Sequence, residues 1–324
     1  MRALLVVIVS AGAVALLALP GRAVLAHAGE PLAPHDLWSA WNWDAPILLG
    51  LLFTGWLYLR GVQALWHSAG MGRGVTRWQA AAFAGGMLTL FMALVSPVDA
   101  LGSVLFSAHM LQHLLLMMVA APLLVLGAPP AALAWSVPRG WRVGLGRWWR
   151  RQAALKAGWQ ALKHPAVVWV LHALALTVWH LPPFYQAALR SDLVHFLEHA
   201  SFLIAALLFW WVVARSGQPR QLGYGIGVLY IFTTAMYSGV LGALITFSRQ
   251  VWYPLYASTT QAWGLTPLED QQLAGLLMWI PANFVFLIAA LLLLKAWFDA
   301  LEKRELQPTL AANPDLRDQE VERL

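Results

Sequence analysis

From Pro46 onward the chain alternates long apolar runs with short polar connections. Runs of about eighteen or more apolar residues predict helices that cross a bilayer. Seven apolar segments, all but the fourth of about that length, follow one another: Pro46 to Trp66, Trp78 to Val95, Val104 to Leu126, Ala166 to His180, one starting at Leu193 and ending with Trp210 and Trp211, Tyr224 to Phe247, and Gln271 to Leu294. They predict an all-α integral membrane protein, a seven-transmembrane helical bundle built as one domain over residues 29–297. A shorter run, Leu4 to Leu19, follows Arg2 and precedes Pro20, Arg22 and the small-residue patterns Val24-Leu25-Ala26 and Ala26-His27-Ala28. It predicts a signal peptide over residues 1–28, the competing reading being an uncleaved first helix. Cleavage after Ala26 would leave His27 with a free amine and a ring, a chelating pair.

Charge then orients the bundle. Counting from Arg60, seventeen Lys or Arg residues fall on one side of the predicted spans, and only Arg190 and Arg249 on the other. Basic loops stay cytoplasmic, so the mature amino terminus is predicted outside and the carboxyl terminus inside. The connection from Gly127 to His164 holds Arg139, Arg142, Arg147, Arg150, Arg151, Lys156 and Lys163 with no acidic residue, interleaved with Trp141, Trp148, Trp149 and Trp159. That pattern predicts an amphipathic helix on anionic membrane lipid. Trp38, Trp41 and Trp43 predict an interfacial belt before the first span. The polar tail, residues 298–324, is predicted cytoplasmic, helical first and disordered later.

Composition narrows the function classes. The 324 residues are 60% hydrophobic and only 11% charged, with a mean hydropathy of +0.63, outside the range of soluble domains. The net charge of +6 is explained by the loops, which removes nucleic acid as a partner. There is no cysteine, which excludes disulfide scaffolds, thiolate sites and iron–sulfur clusters. Metal chemistry must use His, Met, Asp or Glu.

The polar residues inside the apolar runs carry that chemistry. His109 and His113 are four apart on the third span, and His195 and His199 four apart on the fifth, so each pair shares a helix face. With His180 at the end of the fourth span, five imidazoles lie at one depth near the outer surface. Ionisable side chains in a membrane segment face a partner, a cavity or one another. Met110 and Met117 add thioethers, and imidazole with thioether suits copper. Glu198, Asp99, Asp270 and Gln271 fall at the same level and could orient imidazoles as an outer shell of hydrogen bonds. Met236, Met278 and the deeper His172 are further neighbours. Two other classes use such residues. Facing His on two helices could ligate haem, and His195-Phe196-Leu197-Glu198-His199 matches the H-x-x-E-H pattern of zinc hydrolases.

The segments HMLQHLLLMMVAAPLLVLGAP, WHLPPFYQAAL, HFLEHASFL and QQLAGLLMWIP, from His109 to Pro281 in that order, resemble the CtaG-type cytochrome c oxidase assembly factors of bacteria. The resemblance covers about Trp41 to Trp297. It implies a multi-pass protein of the bacterial inner membrane, not an enzyme, that serves maturation of a haem-copper oxidase. Delivery of copper is the usual interpretation; the implied partners are oxidase subunit I and a periplasmic copper chaperone. The expected cargo is Cu(I), held facing the periplasm by His109, His113, His180, His195 and His199 with Met110 or Met117, with haem as the alternative.

Overall fold

The computed structural model describes residues 32–219 and 221–312, and side chains as far as Glu305. The expected leader, His27 and the end of the tail lie outside the described residues. All seven predicted apolar segments are helices: α1 (Ala45–Ala69), α2 (Arg77–Leu94), α4 (Phe106–Leu126), α8 (Pro165–His180), α10 (Asp192–Ala214), α11 (Tyr224–Thr246) and α12 (Pro267–Ala312). Among the described residues there is no strand. Between them come the short α3 (Pro97–Gly102), α5 (Pro129–Ser136), α6 (Arg139–Arg151), α7 (Ala153–Leu162) and α9 (Pro182–Arg190).

Five of the helices, α1, α4, α10, α11 and α12, are long and apolar enough to cross a membrane, and α7 with α8 forms a sixth candidate bent by 64°. The predicted second span falls short on apolarity because the 18 residues of α2 open on Arg77, Trp78 and Gln79 and are rich in Ala and Gly. Large apolar side chains face outward, among them Leu52 and Leu59 on α1, Phe232 and Leu244 on α11, and Phe284 and Leu292 on α12. Such a continuous apolar exterior belongs in lipid.

The connections carry more helix than predicted, one amphipathic helix being the expectation between Gly127 and His164. Residues 127–164 fold as three helices, and α6 turns Trp149 inward while Trp141 and Trp148 stay exposed. The stretch after His180 is the helix α9. α12 begins ahead of Gln271 because Thr266 and Glu269 close a reciprocal cap: the Glu269 N–H donates to Thr266 Oγ1 at 3.2 Å and the Thr266 N–H to Glu269 Oε2 at 2.8 Å. That spacing of Thr and Glu is a helix-start signal.

α4 is the central element, packed against α2, α10 and α12. It is not a uniform α-helix: residues Leu115–Ala120 widen into a π turn. Pro122 gives the reason, since it has no N–H to close a helical bond and its ring crowds the preceding carbonyls. In π spacing its missing partner is the carbonyl of Met117. That carbonyl accepts instead from Trp210 Nε1 of α10, at 2.8 Å. A bond across helices therefore replaces the one that proline removes. α11 and α12 approach closely through glycines, and a Cβ on Gly275 would stand 2.6 Å from the backbone N of Thr246. Small residues let membrane helices pack backbone to backbone.

Replacing Trp210 with Phe leaves the Met117 carbonyl buried and unbonded, so stability falls on the order of 1 kcal/mol. Thermal unfolding of the detergent-solubilised protein measures the drop; an unchanged midpoint would show that the π turn needs no such tie.

Candidate metal centre

Two i,i+4 pairs meet. α4 and α10 run so that their first turns lie at the same end of the bundle, and the ring centroids of His109 and His113 are 4.3 Å apart, those of His195 and His199 4.2 Å. Across the helix interface, His109 lies 5.2 Å from His195 and 5.5 Å from His199, and His113 lies 5.0 Å from His199. Glu198 stands in the middle with 0% exposure. Its Oε2 is 3.5 Å from His109 Nε2 and its Oε1 is 3.9 Å from His113 Nε2. Those distances are too long for good hydrogen bonds.

The polar atoms are left without partners. Both Glu198 oxygens, both nitrogens of His113, and the Nε2 atoms of His109, His195 and His199 are buried and bond to nothing among the described residues. Burying a carboxyl and several imidazoles in this state costs several kcal/mol unless a cation or shared protons pair them. One ligand atom from each of His109, His195, Glu198 and His199 lies within 4.8 Å of every other. Opposed ligands on one first-row ion stand about 4 Å apart at bond lengths near 2.0–2.2 Å. Three nitrogens and one carboxylate oxygen thus fit a single ion after a small closure.

The scaffold that holds these side chains is polar and reaches across the chain. Asp270, at the start of α12, caps α4: its Oδ2 accepts from the Phe106 N–H at 2.7 Å, and its Oδ1 from the Ser107 N–H at 3.1 Å and the Ser107 hydroxyl. A carboxylate at a helix N-terminus meets unpaired N–H groups and the positive end of the helix dipole. Gln112, on α4 between the two histidines, donates to Asp99 Oδ1 at 2.7 Å and to the Ala93 carbonyl at 2.8 Å, and Asn42 donates to Asp99 Oδ2 at 2.8 Å. Burial pushes the Asp99 carboxyl up, while nearby His195 and the bonds from Asn42 and Gln112 pull it down.

A cover of aromatic side chains closes this end. Tyr185 of α9 sits edge-on to His109 with centroids 5.2 Å apart, and its hydroxyl bonds to that of Tyr256 at 2.7 Å. The Tyr256 hydroxyl is also 2.9 Å from the Gly102 carbonyl, and the Tyr253 hydroxyl donates to the His180 carbonyl at 2.7 Å. Tyr185, Tyr253, Tyr256 and Gln112 carried no signal in the sequence beyond their type, because the partners that give them a role lie up to 154 positions away.

The expected site residues divide. His109, His113, His195 and His199 come together. His180 is not among the four residues whose ligand atoms converge: its Nδ1 bonds to the Leu176 carbonyl at 2.7 Å, and its ring packs on Phe202, 6.0 Å away. Met110 and Met117 are buried away from the four-residue cluster, lining a separate small cavity with Met278 and His172. Met236 is 53% exposed on the outer face of α11. Glu198, read as an orienting group, stands among the candidate ligand atoms. Asp270 and Gln271, read the same way, touch no imidazole; Gln271 pins the loop before α12 by accepting from the Trp252 N–H at 2.6 Å. A cavity of about 1480 Å³ beside Lys163 and Arg215 is lined by none of the His/Glu cluster.

Comparison with known proteins places the chain. The family model described as "Cytochrome c oxidase caa3 assembly factor" matches residues 56–300. Uncharacterized proteins of Mycobacterium bovis and Mycobacterium tuberculosis are each 26% identical over 234 residues, 70% of this chain and 35% of theirs. One of Mycobacterium leprae is 24% identical over 269 residues, 80% of this chain and 40% of its own. The chain therefore spans well under half the length of these relatives. No solved structure gives a significant match.

The cap on α4 is testable apart from any metal. Asp270→Asn removes the charge that faces the Phe106 and Ser107 N–H groups and lowers stability by about 1 kcal/mol, read as an earlier thermal transition; Asp270→Ala lowers it further. Equal midpoints for all three proteins would show that α4 is held by packing alone.

Proposed function

The chain belongs to the cytochrome c oxidase caa3 assembly factor family, and from that premise we propose that it binds Cu(I) at the His/Glu centre and assists its insertion into the oxidase. The observation that carries this reading is the convergence of His109, His195, Glu198 and His199, whose ligand atoms are buried, unbonded and within 4.8 Å of one another. Copper here is cargo. A carrier must hold the ion firmly enough to capture it and release it by exchange of ligands, which a set of neutral imidazoles with one carboxylate allows. His113, close to Glu198 but outside the tightest group, is placed to enter as another ligand leaves.

In this reading the end of the bundle that carries the centre faces the periplasm, as the asymmetry of Lys and Arg supports, and residues 1–28 act as a signal peptide. The protein sits in the inner membrane with seven spans and no catalytic role. It receives copper from a periplasmic chaperone and passes it to oxidase subunit I. The cover of Tyr185, Tyr253 and Tyr256 is then the part that must move to admit a partner.

The haem alternative is less well supported, because the cavity adjoining His113 measures about 40 Å³, room for an ion or one or two waters and not for a macrocycle. A zinc hydrolase gains from the meeting of His195, Glu198 and His199, but hydrolysis needs an open position and a route for substrate. His109 is only 1% exposed and Glu198 0%.

A strain whose chromosomal copy carries His109→Ala and His199→Ala should make normal amounts of this protein, while oxidase activity and oxidase-bound copper in its membranes fall at least tenfold. Normal oxidase copper in that strain would overturn the reading. A Soret band in the purified wild-type protein would move it to the haem class.

A further inference from the structure

A second set of donors lies beyond the His/Glu centre. The small cavity between α4, α8, α10, α11 and α12 is lined by the side chains of Met110, Met117, Met118 and Met278 together with His113, His172 and His180. All of these are buried, the three imidazoles at 4%, 1% and 6% exposure. Both nitrogens of His113, both of His172 and the Nε2 of His180 have no hydrogen-bond partner. Methionine alone is ordinary core filler. Three buried imidazoles with unpartnered nitrogens among the lining of one small cavity are not, since each buried polar atom left unpaired is costly.

We propose that this chamber is a second Cu(I) site, softer than the first and joined to it by His113. The inference rests on the reading that the protein carries copper and adds where the ion goes next. Three features select the ion. Thioether and imidazole are the donors that favour Cu(I). The lining holds no Asp or Glu, so a divalent ion would be buried without a compensating charge, while a monovalent ion costs far less. The volume of about 40 Å³ admits an ion and excludes an organic ligand.

The path follows from helix geometry. His109, His113 and Met117 are spaced by four along α4, so they form a ladder on one face. Met117 and Met118, both within the π turn at Leu115–Ala120, are buried at 4% and 7% exposure. Glu198 belongs to the upper rung, where it stands 3.9 Å from His113. An ion moving from the first centre to the chamber leaves a carboxylate and three imidazoles and gains His113 and thioethers, His113 being able to serve at either place. Bonds exchange one for one, and copper stays Cu(I).

The test loads the full detergent-purified chain anaerobically with Cu(I), washes it against a competing chelator, counts copper by elemental analysis and reads the ligands by copper X-ray absorption. Wild type should retain two equivalents with both nitrogen or oxygen and sulfur neighbours. Met117→Leu/Met278→Leu, which keeps side-chain volume, should lose one equivalent and most of the sulfur signal. His195→Ala/His199→Ala should lose one equivalent and keep the sulfur signal. Elution as a single species in size-exclusion chromatography checks that each variant is folded. One equivalent without sulfur, unaffected by the Met variant, overturns the second site and leaves the first. Copper bound with sulfur and unaffected by the His variant overturns the first centre and leaves the chamber. No retained copper in wild type overturns both.

Discussion

A carboxyl group held at 0% exposure among imidazoles, with no donor to either oxygen, is the constraint on which the rest of this structure depends. Apolar bundles do not accumulate such groups, because every unpaired polar atom in a medium of low dielectric costs free energy that packing must offset. The cost is concentrated here where α4 and α10 face each other, with Glu198 and the imidazoles of His109, His113, His195 and His199. Around them Asp270, Gln112 and Asn42 form side-chain hydrogen bonds, and the hydroxyls of Tyr185, Tyr253 and Tyr256 bond to one another or to carbonyls. A bundle able to satisfy Asp270 three times over could satisfy Glu198 too. That it leaves Glu198 unbonded marks this as the position kept for something else.

The scaffold explains how the position is kept. α4 could slide or rotate in a bundle held by lipid-like side chains alone, since dispersion contacts are weakly directional. Two directional ties remove that freedom. At its start Asp270 of α12 fixes the Phe106 and Ser107 N–H groups, and near its middle Trp210 of α10 takes the Met117 carbonyl that Pro122 leaves free. His109 and His113 lie between those two ties. The same proline that would weaken an isolated helix thus creates the acceptor by which α4 is locked to the helix carrying His195 and His199.

Much of this was legible in the sequence, and the part that was not has a common cause. The seven helices follow from apolar length, and the His pairs from helical period, which is local information. The family resemblance, carried by four segments in order, agrees with the family model over residues 56–300. Sequence spacing cannot say which helix faces which, so His180 was grouped with the other imidazoles although its ligand atoms fall outside the converging set of His109, His195, Glu198 and His199. Asp270 looked like a partner for histidine and is instead a cap on a helix 163 positions away. Glu198 looked like a supporting group because acidic residues near paired histidines often are; only the crossing of α4 over α10 puts it among the ligand atoms. The π turn was invisible for a related reason, since Pro122 announces a disturbance and not the carbonyl that compensates it.

The two donor sets differ in kind, and the difference gives the bundle a direction. At the His/Glu centre the donors are nitrogen and oxygen with one potential negative charge, a set that accepts an ion coming from water. Farther along α4 the carboxylate is gone and sulfur enters, a set that suits only an ion already stripped of water and of low charge. On the proposed reading, donors ordered from hard to soft along one helix would lower the cost of each transfer, because the ion would lose a few ligands at a time while His113 kept hold. A site built only to store copper has no need of such a gradient. A carrier of the proposed kind, moving an ion between water and the apolar interior of another membrane protein, would need one, and His109, His113 and Met117, four apart along α4, would provide it.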